Sequence, residues 1–265
     1  METIEQDATF NCADGTKMSS FICRPRSEQH PGIIVIHEAF GLNEHIRNVA
    51  RRYAREGYVT IAPNLFTRNA DIMNEKNIES TMRYMWTVPP DKRGDPGTIK
   101  ELMGKMSETE RKVANIFFLG RENMEKQMAQ DLLDCKNYLQ NLDSVIAEKL
   151  GIMGFCMGGS LTYQLSSMYP FRAAVPFYGA NPKPIEAVEK ISGPIQAFYA
   201  GEDERVNAGI PSLVEAMVKY KKQFSMKIYK GALHSFFNET RASYNEEAAT
   251  DAWDSSLAFF NKNLK

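Results

Sequence analysis

Histidine is scarce in this 265-residue chain. There are four, His30, His37, His45 and His234, and four cysteines, at 12, 23, 135 and 156. No two cysteines have metal-ligand spacing, and four in a chain this long are too few for a disulfide framework, so they read as reduced thiols of a cytoplasmic protein. Charge excess is missing too. Lys+Arg is 32 against Asp+Glu 33, which excludes recognition of nucleic acid or an anionic membrane by bulk charge. Apolar runs are short, Ile33-Ile34-Val35-Ile36 being typical, so nothing is long enough to span a bilayer. The start, METIEQDATFNCADG, is acidic and polar and lacks a signal-peptide pattern. No internal repeat, low-complexity segment or Pro/Ser-rich linker interrupts the chain, which favours one domain over two.

The apolar residues that are present alternate in a regular way. Ser19–Arg24, Gly32–His37 and Tyr58–Ala62 read as strands, with a helix from Asn43 to about Glu56 between the second and third. From about Arg121 the pattern resumes: helix to Gln140, strand Leu150–Phe155, helix Met157–Met168, strands Ala173–Tyr178 and Ile195–Ala200, helix Ile210–Lys221, strand Met226–Tyr229 and a closing helix Ser243–Asn263. Alternating strands and helices predict an α/β fold with a mostly parallel central sheet and helices on both faces. Between Asn64 and Gly120 the pattern breaks. Pro89-Pro90 and Pro96-Gly97 stand among charges, with Ile78, Met82 and Met85 at helical spacing. This predicts one or two short helices and a mobile loop near 88–98, a lid or cap inserted at about 67–120 into a single domain spanning 1–265.

The strongest local pattern is Gly154-Phe155-Cys156-Met157-Gly158-Gly159. It follows a strand and opens a helix, as a nucleophile elbow does, with cysteine in place of serine. The flanking positions must be small because the turn is sharp. A helix N-terminus favours the thiolate form of a cysteine placed there, and the Met157 amide becomes half of an oxyanion hole. An activated nucleophile needs a base held by a third group, in the chain order nucleophile, acid, histidine. After Cys156 only one histidine remains, His234, just past the last strand. The acid belongs beyond another strand end, where Glu202, Asp203 and Glu204 stand in a row; Asp203 is the choice and Glu202 the fallback. Earlier, His37-Glu38-Ala39-Phe40-Gly41-Leu42 follows the first core strand. The Ala39 amide is placed to be the second oxyanion donor, Glu38 faces the site, and His37 is read as structural.

These segments, together with Ile61-Ala62-Pro63-Asn64-Leu65-Phe66, Phe177-Tyr178-Gly179 and Gly231-Ala232-Leu233-His234-Ser235-Phe236, resemble the dienelactone hydrolase family of the α/β-hydrolases from about residue 18 to 262. The resemblance implies a Cys156–His234–Asp203 triad that cleaves carboxylic esters or lactones through a thioester. It gives Glu38 a part in forming the thiolate, by contact with the resting cysteine. It implies no metal and no organic cofactor, and a small-molecule ester or lactone as the only partner of a monomer or homodimer. The sequence departs from the family at the two arginines that hold an anionic lactone: one place is Asn238, and the other aligns near Glu79, with Arg83 the nearest arginine. A neutral or bulkier ester is therefore expected, with Phe40, Trp86, Tyr163, Phe236, Asn238 and Arg83 as pocket candidates. Rival readings are a thioesterase or acyltransferase with the same triad, and a non-catalytic relative that senses oxidation through Cys156.

Overall fold

The computed structural model describes residues 1–26, 28–89, 92 and 95–265. Eight strands form one sheet in the order β1-β2-β4-β3-β5-β6-β7-β8. They are β1 Thr3–Asn11, β2 Lys17–Pro25, β3 His30–Ile36, β4 Val59–Pro63, β5 Val145–Phe155, β6 Ala173–Phe177, β7 Ile195–Ala200 and β8 Phe224–Tyr229. β1 and β2 pair antiparallel, as do β2 and β4; from β4 through β8 every pairing is parallel. The chain belongs to the α/β-hydrolase type of fold.

The alternation along each strand divides its side chains between two cores. Ile34, Ile36 and Ile152 join one layer with Leu132, Cys135 and Leu139 of helix α5 (Arg121–Gln140), Leu161 and Leu165 of α6 (Met157–Met168), and Leu213 and Met217 of α8 (Ile210–Lys219). Ile33, Val35, Met153 and Phe155 join the other with Ile46, Val49 and Tyr53 of α1 (Glu44–Arg55) and Ala252 and Phe260 of α9 (Glu246–Leu264). Burial on both faces is what a continuous apolar strand demands. Asn43 caps α1, its side chain accepting from the Ile46 amide at 3.3 Å. Among the described residues no helix is long and apolar enough to cross a membrane.

Three elements differ from the sequence expectation. β1, an edge strand with mostly exposed side chains, lies in the stretch before residue 19, where the sequence suggested no element; its pairing to β2 lies in the backbone, so no apolar alternation announces it. β5 begins at Val145 rather than Leu150, where a register irregularity opposite His30 and Gly32 hides the start. The segment between β4 and α5 holds more helix than expected: α2 Glu75–Trp86, α3 Pro96–Lys105 and α4 Glu108–Ala114, followed by a π turn, Asn115–Leu119. Met85, Val88, Leu102, Met106 and Ala114 give this segment a small core of its own. The loop expected near 88–98 falls partly on residues 90, 91, 93 and 94, outside the described residues, while 96–98 already belong to α3.

Candidate active site

Each parallel strand hands its next residues to one edge of the sheet, and the chemistry collects there. Glu38 and Ala39 follow β3, Cys156 follows β5, Tyr178 follows β6, Asp203 follows β7 and His234 follows β8. β3 and β5 are neighbours, and the chain leaves them in opposite directions along the sheet, β3 toward β4 and β5 toward β6. A crevice opens at such a switch point, outside the carboxyl ends of the strands.

Cys156 sits at the tightest point. It is the N-cap of α6 with φ +54°, in the left-handed region that side chains other than glycine seldom adopt. The turn works only because its neighbours lack Cβ atoms. A Cβ on Gly154 would lie 2.2 Å from the Gly158 carbonyl oxygen, and one on Gly158 would lie 2.5 Å from that of Ile36. The Cys156 amide donates to Phe177 O at 3.1 Å, and Ser160 Oγ accepts from the Ala180 amide at 2.9 Å, tying the elbow to β6 and its following loop. Tyr178 and Ser235, at φ +37° and +65°, also carry left-handed backbone, so strain gathers around one point.

Cys156 stands beside His234, close enough for its charge to favour the protonated imidazole. The His234 ring nitrogen Nδ1 is bound to Asp203 Oδ2. Of the three acids in the run, Asp203 is therefore the one on the imidazole, while Glu202 accepts from the Gly231 amide at 3.2 Å. Asp203 Oδ1 accepts from the Val206 amide at 3.4 Å and caps the short helix α7, Glu204–Asn207. Burial alone would lower the His234 pKa. The charge on Cys156 and the hydrogen bond to Asp203 outweigh it and raise the group to about 10. For Asp203 burial pushes upward, but the His234 hydrogen bond and charge win and hold the carboxyl below its ordinary range. Thiol, imidazole and carboxylate thus stand in the linear order that an activated nucleophile requires.

Glu38 is 2% exposed and has three donors. Ser235 Oγ and Tyr178 Oη reach its Oε1 at 2.8 and 3.3 Å, and Asn238 Nδ2 reaches Oε2 at 2.7 Å. None of these is Cys156, so the contact between glutamate and resting cysteine implied by the family resemblance is replaced here by a closed set of neutral donors. Asn238 is drawn inward for the same reason and is buried against Glu38 instead of facing substrate. His37 is fully buried and lowered to about 4 by that burial. Its Nδ1 bonds the Glu38 carbonyl at 2.6 Å and its Nε2 accepts from the Leu65 amide at 3.1 Å, so both nitrogens are spent on backbone.

A cavity of about 420 Å³ opens above Cys156. Ala39 and Met157 line it beside the sulfur, and Met82, Met85 and Trp86 of α2 face them, with Phe117 and Phe118 from the π turn and Met124 from α5. The remaining lining includes Tyr178, Arg121, Glu125 and Arg205; Arg121 is paired to Glu125 at 2.6 Å. Of the six pocket candidates only Trp86 lies on this wall. Tyr163 is buried on α6 with its hydroxyl 2.6 Å from that of Tyr199. Phe236 is buried between the rings of Tyr178 and Tyr229. Phe40 lies beneath the Arg241 guanidinium, and Arg83 is on the exposed side of α2. Tyr178 and Ser235 were readable by the strand-end rule that singled out Glu38. The wall from α2 and the π turn had no such signal, because it comes from the segment whose pattern breaks.

The fold is that of an α/β-hydrolase, with Cys156 on the sharp turn between β5 and α6. The family model described as "Dienelactone hydrolase family" matches residues 18–264. A protein of Saccharolobus solfataricus, provisionally named a carboxymethylenebutenolidase, is 44% identical over 253 residues, covering 96% of this chain and 97% of that one. A Synechocystis protein of the same provisional name is 33% identical over 247 residues, covering 89% and 88%. A crystal structure of a Klebsiella pneumoniae protein, provisionally a dienelactone hydrolase, matches with a TM-score of 0.76 at 26% identity over 99% of this chain and 100% of that one. The chain belongs to the dienelactone hydrolase family, and it is a hydrolase acting on lactone or ester bonds.

Proposed function

We propose that this hydrolase cleaves carboxylic esters or lactones with a bulky, uncharged acyl group, through a thioester on Cys156. One observation carries the reading: a strained cysteine beside His234, whose ring is bonded to Asp203, opens onto a cavity walled mainly by methionine and aromatic side chains. The thiolate attacks the carbonyl carbon, and the oxyanion is received by the amides of Ala39 and Met157. His234 gives its proton to the leaving alkoxide, then takes one from the water that cleaves the thioester. Asp203 holds the ring in the tautomer this requires. Methionine walls adapt to varied apolar groups, and the segment carrying α2 and the π turn acts as a cap that excludes water.

The charge pattern supports an uncharged substrate. Both places where the family's arginines would clamp a carboxylate are occupied by internal contacts: Asn238 holds Glu38, and Glu79 holds Arg241. Hydrolysis of p-nitrophenyl esters of increasing acyl size tests the proposal. Cys156→Ala and His234→Ala should lose at least ~10³-fold in kcat/KM, and mass spectrometry of the wild type should find the acyl group on Cys156. Wild-type rates in either variant would end the mechanism. A carboxylate-bearing lactone preferred by a wide margin would end the substrate assignment.

A further inference from the structure

Arg241 lies seven positions beyond His234 in the same loop and touches neither the reacting atoms nor the cavity. Its side chain is nonetheless drawn in, 20% exposed, and makes contacts to two other segments. Nη1 donates to Glu79 Oε1 at 2.5 Å and Nη2 to Glu75 Oε1 at 3.2 Å, both on the first turns of α2. The guanidinium plane lies over the Phe40 ring, 3.9 Å from its centroid. Asn43 reaches the same Glu75 oxygen at 3.2 Å. The third guanidinium nitrogen, Nε, is buried with no hydrogen-bond partner among the described residues, so the two Nη bonds and the ring decide where the group sits.

The three segments so joined are the ones that shape the site. Phe40 follows Ala39 inside the turn closed by the Gly41 amide on the Glu38 carbonyl at 3.2 Å. The Arg241 loop also carries His234, Ser235 and Asn238, and it is fixed to α1 where Glu239 meets His45 at 2.5 Å and Asn48 at 2.9 Å. α2 begins at the Arg241 contact and ends, two to three turns later, with Met82, Met85 and Trp86 on the cavity wall. We infer that Arg241 is a positioning residue that, by pairing with Glu75 and Glu79 and stacking on Phe40, sets α2 against the turn carrying Ala39 and so defines the acyl wall and the enzyme's preference for large acyl groups. The inference rests on the reading of Cys156 as nucleophile and of this cavity as the acyl pocket. A forked planar cation suits the task, since it pairs with two carboxylates and lies flat on a ring at once.

Arg241→Gln removes the link from the loop side and Glu79→Gln from the helix side, so one variant remains informative if the other does not fold. Each should lower kcat/KM for a p-nitrophenyl ester with a long or aromatic acyl group roughly fivefold, mainly through KM. Hydrolysis of p-nitrophenyl acetate, too short to reach α2, should keep its rate, as should alkylation of Cys156 by iodoacetamide. The swapped pair Glu79→Arg with Arg241→Glu should recover part of the large-acyl preference. Equal losses on both esters, or no loss on either in folded protein, overturns the positioning role. Acetate hydrolysis that survives Cys156→Ala instead refutes the reading of the site, and the two failures are told apart.

Discussion

Replacing Asn238 by alanine isolates the support of the buried Glu38 carboxylate. Asn238 is fully buried, its Nδ2 is 2.7 Å from Glu38 Oε2, and its Oδ1 accepts from the Thr240 amide and hydroxyl at 3.0 and 2.7 Å. Among the described residues the three donors to Glu38 are all neutral, and Asn238 alone serves Oε2. Truncation leaves one oxygen of a buried acidic group unsatisfied, which costs on the order of 3 kcal/mol. For a chain of this size that lowers Tm by roughly 6–10 °C. Thermal unfolding of wild type, Asn238→Ala, Glu38→Gln and the double variant forms a cycle, and a charged hydrogen bond should appear in it as a coupling of about 2 kcal/mol. Asn238→Asp sharpens the test. It sets a second carboxylate against the first, so the variant should be unstable at neutral pH and recover as acid supplies a shared proton. A cost below ~0.5 kcal/mol for Asn238→Ala, the level of an ordinary surface change, would refute the argument that this side chain sustains Glu38.

Two further outcomes follow from the same geometry. Gly158→Ala puts a Cβ 2.5 Å from Ile36 O and 2.7 Å from His37 O, both backbone, so β3 and the elbow must separate; at least ~3 kcal/mol of stability and most of the Cys156 alkylation rate should be lost, and a stable, alkylatable variant would contradict the packing. Glu239, an exposed residue against the buried His45, is lowered to about 2: desolvation raises it, but the hydrogen bond and charge of His45 prevail. A depressed carboxyl pKa stabilises the fold above the ordinary value of 4.5 and ceases to do so as pH falls toward 2. The Tm difference between wild type and Glu239→Gln should be present at pH 7 and shrink across that acid window. A difference independent of pH would assign the effect to packing alone.

How much of this was legible in sequence depended on whether backbone or side chains carried the information. The elbow was legible because its chemistry demands glycines at fixed places, and Gly154 and Gly158 both prove to face backbone carbonyls at less than 3 Å. His234 was legible by scarcity. The central strands were legible because burial on both faces requires unbroken apolar runs. β1 was not, since an exposed edge strand is held by main-chain bonds that leave no mark in side-chain pattern. The pocket candidates fared worst for a related reason: Tyr163, Phe236 and Phe40 are aromatic and near the motif in sequence, yet each is satisfied elsewhere, by a hydroxyl, two rings and a guanidinium.

The same contacts connect the two departures from the family's substrate clamp. An arginine at position 238 would bring a cation beside Glu38, and one near position 79 would bring a second to the start of α2. This chain has a neutral amide at the first place and a carboxylate at the second, and Arg241, a cation close to both, faces inward to Glu79 and Phe40. Glu38 keeps hydrogen-bond donors without an ion pair, and α2 is held from within the protein instead of through a substrate carboxylate. On the proposed reading, a site arranged this way has no need of substrate charge to set its wall, and selectivity would fall to the shape and apolar area of Met82, Met85, Trp86, Phe117 and Phe118.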